Sequence, residues 1–216
     1  MTLIIFLFTF NLFASELIFE ENFNGPLDPQ IWNIDNPDLI EFSPDGNIIL
    51  KNEYNPYLKE TRGARIHTKS KFEFKYGLIE IKVQIDSMKH LRPQVQLKAT
   101  ESAPSIDIEI YNQERKRYRA TNAIKWTRNN RVLKEIRFKK TNKLVRNLQN
   151  TYYFSLEWKP YELIFSIDGI EVWRKFVQVK YMKNAYIDLY AFIDKSLKTS
   201  ISEQWAIDFI KVYKKI

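Results

Sequence analysis

Strict alternation of apolar and polar residues is the feature that most narrows what this chain can form. From Ile79 to Ile85 the residues read Ile-Glu-Ile-Lys-Val-Gln-Ile. A period of two places Ile79, Ile81, Val83 and Ile85 on one face of an extended strand and Glu80, Lys82 and Gln84 on the other. The pattern recurs toward the C-terminus. Tyr152 to Trp158 and Leu163 to Ile167 flank Lys159-Pro160-Tyr161-Glu162, and Asp168-Gly169 closes the second run before Ile170 to Trp173 resumes, which predicts consecutive hairpins. Trp205 to Tyr213 predicts a further strand with Ile207, Phe209 and Lys211 on one face, and a last strand of this kind pairs deep in a sheet. Gly25-Pro26, Pro44-Asp45-Gly46, Asn55-Pro56, Asn129-Asn130 and Asp168-Gly169 mark the turns between strand-like runs.

Size and composition turn these local readings into a fold class. The 216 residues are 44% apolar and 15% aromatic, enough to bury a substantial core, and only five are glycine. No repeat, low-complexity tract or flexible linker divides the chain, so residues 16–216 are expected to form one all-β domain, a two-sheet antiparallel sandwich. Ahead of it, residues 1–15 carry an apolar run from Leu3 to Phe13 followed by Ala14 and Ser15, which reads as a cleaved export signal too short to span a bilayer. The product is then expected to be secreted or periplasmic. With no cysteine it has neither disulfides nor thiolate metal sites and is held by its core alone. The net charge of +8 would draw it to anionic glycans or envelope surfaces; the basic runs Arg115 to Arg119 and Arg137 to Lys143 read as solvated faces, and no nucleic-acid partner is expected.

The chemistry concentrates in Ser105-Ile106-Asp107-Ile108-Glu109-Ile110. On a strand, Ser105, Asp107 and Glu109 share one face while the three isoleucines point the other way, into the core. Spacing alone leaves two readings open: two carboxylates and a hydroxyl presented to a cleft, or an amphipathic strand whose acids are merely solvated.

In that context the chain resembles glycoside hydrolase family 16, the laminarinase and lichenase type of concanavalin A-like jelly roll. The resemblance runs through Phe19 to Gly25 with Leu27-Asp28 and Trp32, Gly63-Ala64-Arg65-Ile66, Tyr76 to Glu80, Ser105 to Glu109, Tyr153 to Trp158 with Asp168-Gly169, and Ile207 to Tyr213. It implies a signature Glu-x-Asp-x-Glu in which the first glutamate attacks the anomeric carbon and the last protonates the leaving oxygen, the two carboxyls lying about 5 to 5.5 Å apart. Asp107 then matches the middle carboxylate and Glu109 the general acid/base. Ser105 stands at the nucleophile position, where a hydroxyl without an adjacent base is a poor nucleophile. Neither His67 nor His90 is tied to Ser105 by spacing, and Glu101, the nearby spare carboxylate, is separated from it by Pro104.

The same resemblance implies further contacts. Glu80 and Asn122 match sugar-contacting polar residues, Lys82 stands where an arginine is common, and Tyr190 and Phe192 lie where an asparagine and a tryptophan meet the glycan. Asp208 matches a residue that supplies a calcium ligand in many relatives, so a structural Ca2+ is compatible with the sequence although no cofactor is required. Where the family carries aromatic residues ahead of the signature, this chain has Pro93-Gln94-Val95-Gln96-Leu97 and Ala103-Pro104. These departures imply a monomeric, catalytically impaired β-glucan or related polysaccharide binder. The alternatives are an active endo-glycosidase using Glu109 and Asp107, and a basic sandwich that contacts envelopes or proteins.

Overall fold

A computed structural model of the chain describes residues 15–85, 89–99, 104–112, 118–128, 131–137, 142–143, 151–176, 184–193 and 197–215, with the backbone alone at 104, 109–112, 118–128, 131–137, 142–143 and 215. The expected export segment, apart from Ser15, and the Asn129-Asn130 turn lie outside the described residues.

Seventeen strands follow one another, with a single 3-10 turn at Pro37–Leu39 as the sole helical element among the described residues. They are β1 (Ser15–Glu21), β2 (Asn33–Asp35), β3 (Ile40–Phe42), β4 (Ile48–Asn55), β5 (Glu60–Gly63), β6 (Arg65–His67), β7 (Gly77–Gln84), β8 (Leu91–Ala99) and β9 (Pro104–Asn112). After these come β10 (Tyr118–Arg128), β11 (Arg131–Arg137), β12 (Asn142–Lys143), β13 (Thr151–Trp158), β14 (Glu162–Ile167), β15 (Ile170–Phe176), β16 (Ala185–Ile193) and β17 (Ile201–Lys215). One antiparallel sheet runs β15-β14-β13-β7-β17-β4-β3, with β1 on β17 and β5 on β4; the other runs β11-β10-β9-β8-β16-β6-β2, with β12 on β10. This is the expected two-sheet jelly-roll sandwich.

The two sheets meet over one core because β4, β7, β8, β13, β16 and β17 each turn an apolar row inward. Ile79, Ile81 and Val83 of β7 are buried as their alternation requires, and face a layer from the second sheet that includes Ile66, Val95, Leu97, Ile106, Ile108, Ile187 and Leu189. Trp32, Trp158 and Trp205 fill the interior, each 1% exposed. The predicted hairpins form as β13, β14 and β15, and the Asp168-Gly169 turn has φ of 50° and 76°. Positive φ at both central positions is the twist-matched two-residue hairpin turn, which is why an Asp-Gly pair sits there.

The last strand departs from its expected facing. β17 is central, paired with β1, β4 and β7, but its register against β7 slips between Ile207 and Phe209. Asp208 is therefore a β-bulge residue, and the extra residue inverts the alternation beyond it. Trp205 and Ile207 point inward before the bulge and Ile210 and Val212 after it, so Phe209 and Lys211 face outward instead of sharing the inner face with Ile207. Glu203, earlier in β17, accepts backbone N–H bonds from Lys89, His90 and Leu91 at 3.0, 2.9 and 2.8 Å, fixing the entry into β8 across the two sheets.

The inverted facing is testable by substitution. Ile210→Ala is expected to cost about 2–5 kcal/mol in denaturant unfolding as a large-to-small core change, and Lys211→Ala to leave the unfolding midpoint almost unchanged, because it removes only a surface ion pair. Equal costs at the two positions would refute the bulge.

Candidate functional site

The outer face of the second sheet is built by register. Across β2, β6, β16, β8, β9 and β10 the directly opposed residues form the row Asn33, His67, Asp188, Gln96, Asp107 and Ala123. The next row on the same face brings Tyr190 of β16 beside Gln94 of β8, Gln94 beside Glu109 of β9, and Glu109 beside Thr121 of β10, with Asp35 opposite Arg65 on the neighbouring strands. Ile106 and Ile108 point into the core, each 3% exposed. Asp107 therefore does share an outer face with Ser105, and strand alternation assigns Glu109 to it as well. The expected open cleft is not what surrounds the first two: Ser105 is 4% and Asp107 1% exposed, so both lie beneath the accessible surface.

A buried ion pair organises this face. Asp188 is fully buried and accepts hydrogen bonds from Arg65 Nε and Nη2, both at 2.7 Å, while Arg65 Nη1 reaches Asp35 at 3.3 Å. The paired geometry satisfies both carboxylate oxygens, which an inaccessible aspartate needs. It also raises the Arg65 pKa, chiefly through the hydrogen bonds to Asp188. Burial, and then the charge of Asp188, pushes the Tyr186 phenol up to about 12. His67, opposite Asp188, has its pKa lowered, first by burial and then by the Arg65 guanidinium. Thr68 anchors the end of β6, its Oγ1 donating to the Phe72 carbonyl at 2.8 Å and accepting from the Ile187 N–H at 3.0 Å.

Tyr190 and Phe192 join this face as expected. Their rings meet edge to face at 5.0 Å, the Arg65 guanidinium lies 5.9 Å from the centre of the Tyr190 ring, and Phe192 is 53% exposed. Between Tyr190 and Glu109, Gln94 is fully buried, and neither amide atom has a hydrogen-bond partner among the described residues. Arg65, Asp188 and Gln94 were not among the residues singled out for this site. One signal could have found Asp188: a lone acid inside the apolar run Ala185-Tyr186-Ile187-Asp188-Leu189 must be paired when its strand is buried.

Other expected site residues lie elsewhere. Glu80 and Lys82 are on β7 of the first sheet and, because Ile79, Ile81 and Val83 face the core, they point out on the opposite side of the sandwich from Asp107. Asn122 pairs in register with the core residue Ile108 rather than with Asp107 or Glu109; its side chain, like that of Glu109, lies outside the described residues. Glu101 also lies outside them. His67 stands three strand spacings from Asp107, roughly 14 Å at about 4.8 Å per spacing, too far to activate Ser105. Asp208 forms an ion pair with Lys82, whose own pKa is raised chiefly by that contact. The Lys82 ammonium group therefore competes with any cation for the one carboxylate of the expected calcium site.

Residues 36–206 match the family model described as glycosyl hydrolases family 16. No curated protein matches the sequence. Among solved structures, the Bacteroides ovatus mixed-linkage glucan family 16 protein in complex with a G4G4G3G product is 19% identical, with a TM-score of 0.74 over 90% of this chain and 99% of that one. The catalytic domain of the Thermotoga petrophila endo-1,3-β-glucanase (laminarinase) is 18% identical, with a TM-score of 0.71 over 94% and 98%. A glutamate-to-serine mutant of SCLam, a non-specific endo-β-1,3(4)-glucanase, is 15% identical with a TM-score of 0.69 over 93% and 95%; it was co-crystallised with 1,3-β-D-cellotriosyl-glucose and presents 1,3-β-D-cellobiosyl-glucose at its active site.

Two measurements test the electrostatic account. Arg65→Met is expected to cost about 3–5 kcal/mol by leaving Asp188 buried and unpaired, and the double variant Arg65→Met/Asp188→Leu to recover much of that loss; a double variant no more stable than the single would contradict the account. His67 is disfavoured as a cation in the fold, so its contribution is fully present above its unfolded pKa of about 6.5 and lost as pH falls through its lower folded value. The drop in melting temperature between about pH 7.5 and about pH 5 should be smaller in His67→Gln than in the wild type.

Proposed function

The chain belongs to glycosyl hydrolases family 16, and from that premise we propose that it binds β-glucan or a related polysaccharide on the outer face of its second sheet and is impaired in hydrolysis. The observation that carries the reading is Ser105, in alternation with Asp107 and Glu109 on one strand face, where the family resemblance places an attacking glutamate. A serine oxygen needs a nearby base to attack an anomeric carbon. Two candidates on this face are poorly placed to serve: Asp188 is held by two hydrogen bonds from Arg65, and His67 is three strands away. Burial of Asp107 to 1% exposure also counts against an inverting route in which that carboxylate would activate a water.

Glycan binding is supported by Tyr190 and the exposed Phe192, an aromatic pair on the same face and one strand beyond Gln94. The serine variant of SCLam, with an oligosaccharide at its active site, supports the compatibility of a glutamate-to-serine change with glycan occupancy on this fold. Export of the chain, with residues 1–15 removed, belongs to the same proposal and rests on the apolar run from Leu3 to Phe13 followed by Ala14 and Ser15.

The expected outcome is retention of the wild type on β-glucan without release of reducing ends, and a gain of retaining hydrolysis in Ser105→Glu. Restoring one member of a cooperating catalytic set is strongly non-additive, so the gain should be orders of magnitude above background. Steady turnover by the wild type that Glu109→Gln abolishes would replace this reading with an active endo-glycosidase. Salt-sensitive binding to anionic envelopes with no affinity for glucan would replace it with an electrostatic surface-binding role.

A further inference from the structure

The outer face of the first sheet, on the far side of the sandwich, carries a depression of about 540 Å3 lined by Glu80, Lys82, Thr151, Tyr153, Ser155 and Asp168 among others. We propose that this depression is a second saccharide site, specific for a neutral glycan, with Tyr153 as its aromatic wall and Phe209 at its edge, the two rings 56° apart in tilt. It does not depend on glycan binding at the opposite face.

Three adjacent strands build this arrangement. In register, Tyr153 of β13 and Phe209 of β17 both oppose Lys82 of β7, and their rings lie 5.9 Å apart. Phe209 is there because the Asp208 bulge turns it outward; uninterrupted alternation from Ile207 would have buried it. Bulges commonly re-aim a side chain toward a functional surface. The Tyr153 ring is 47% exposed, yet its backbone is clamped: its N–H donates to Asp168 Oδ1 at 2.9 Å and its carbonyl accepts from the Asp168 N–H at 2.8 Å. The depression is thus preformed, with an apolar ring bordered by hydroxyl, carboxylate and ammonium groups. That combination suits a pyranose, which offers C–H groups to an aromatic face and hydroxyls to the polar rim.

Local charge selects the kind of saccharide. Lys82 Nζ lies over the Tyr153 ring at 5.4 Å and Lys211 Nζ over the Phe209 ring at 5.2 Å, leaving the opposite ring faces for a sugar; both lysines are matched, Lys82 by Asp208 and Lys211 by Glu20 at 2.9 Å, and both have raised pKa values, chiefly from hydrogen bonds to those acids. Glu80 and Asp168 add two more carboxylates, so among the described residues two ammonium groups stand against four acids. A chain of net charge +8 therefore has here a patch that repels polyanions and leaves neutral glycans as the ligand.

The test is an amide chemical-shift titration of the whole protein with a neutral β-glucan tetrasaccharide, repeated with a sulfated one. Saturable shifts are expected at Lys82, Tyr153 and Phe209 with the neutral sugar alone. Tyr153→Ala should abolish them while leaving any shifts around Tyr190 in place, and Tyr153→Phe, which keeps the ring, should retain them. Affinity for polymeric glucan should fall on the order of tenfold or more in Tyr153→Ala if the two faces act together. No shifts at these three residues, equal shifts with the sulfated sugar, or shifts unchanged by Tyr153→Ala would overturn the proposal. Shifts here without any at Tyr190 would support it and count instead against glycan binding on the opposite face.

Discussion

The two sheets have one interior between them, and almost everything else follows from the requirement that each strand turn its apolar row into it. Once Ile79, Ile81 and Val83 face Ile106, Ile108 and their neighbours across the sandwich, every polar residue alternating with them is committed to an outer face. The outer faces thus acquire their chemistry as the complement of the core. Ser105 and Asp107 turn to the outer side of one sheet, although both stay buried there, because Ile106 and Ile108 occupy the interior; Glu80 and Lys82 reach the other surface because the β7 row does the same.

Within that constraint, two local devices decide what the outer faces can do. On the second sheet the Arg65–Asp188 pair places a fully buried carboxylate in the middle of an otherwise apolar strand. It is tolerable only because the guanidinium satisfies both oxygens, and the same pair places a cation near Tyr190; burial beside it, more than its charges, lowers the proton affinity of His67 and raises that of Tyr186. On the first sheet the Asp208 bulge has the comparable role. One extra residue reverses the facing of the rest of β17, moves Phe209 from the expected core to the surface beside Tyr153, and gives Lys82 its partner.

The family resemblance in the chain was legible because it rests on short strings whose chemistry is local: a strand with alternating acids, an Asp-Gly hairpin turn, a closing strand of alternating apolar residues. Their order along the chain pointed to the jelly roll, and the strands, hairpins and central last strand form as read. The candidate site was only partly legible. Tyr190, Phe192, Ser105 and Asp107 lie on one face, but Glu80 and Lys82 lie on the other sheet, and Asn122 is in register with a core residue. The misplacement has a simple origin: similarity along a strand identifies which residues share that strand's face, and says nothing about which sheet the strand joins.

By itself, then, the sequence determined the β-class, the faces of the unbulged strands and the alternation of Ser105 with Asp107 and Glu109, because each depends on a residue and its neighbours one or two positions away. Tertiary structure alone decided which faces meet. Arg65 and Asp188 are 123 positions apart and become partners only when β6 and β16 align; Tyr153, Lys82 and Phe209 form a row only when three distant strands pair in one sheet. Antiparallel pairing joins segments without regard to their separation along the chain, and a bulge shifts parity without an unambiguous local mark, so neither can be read from alternation alone.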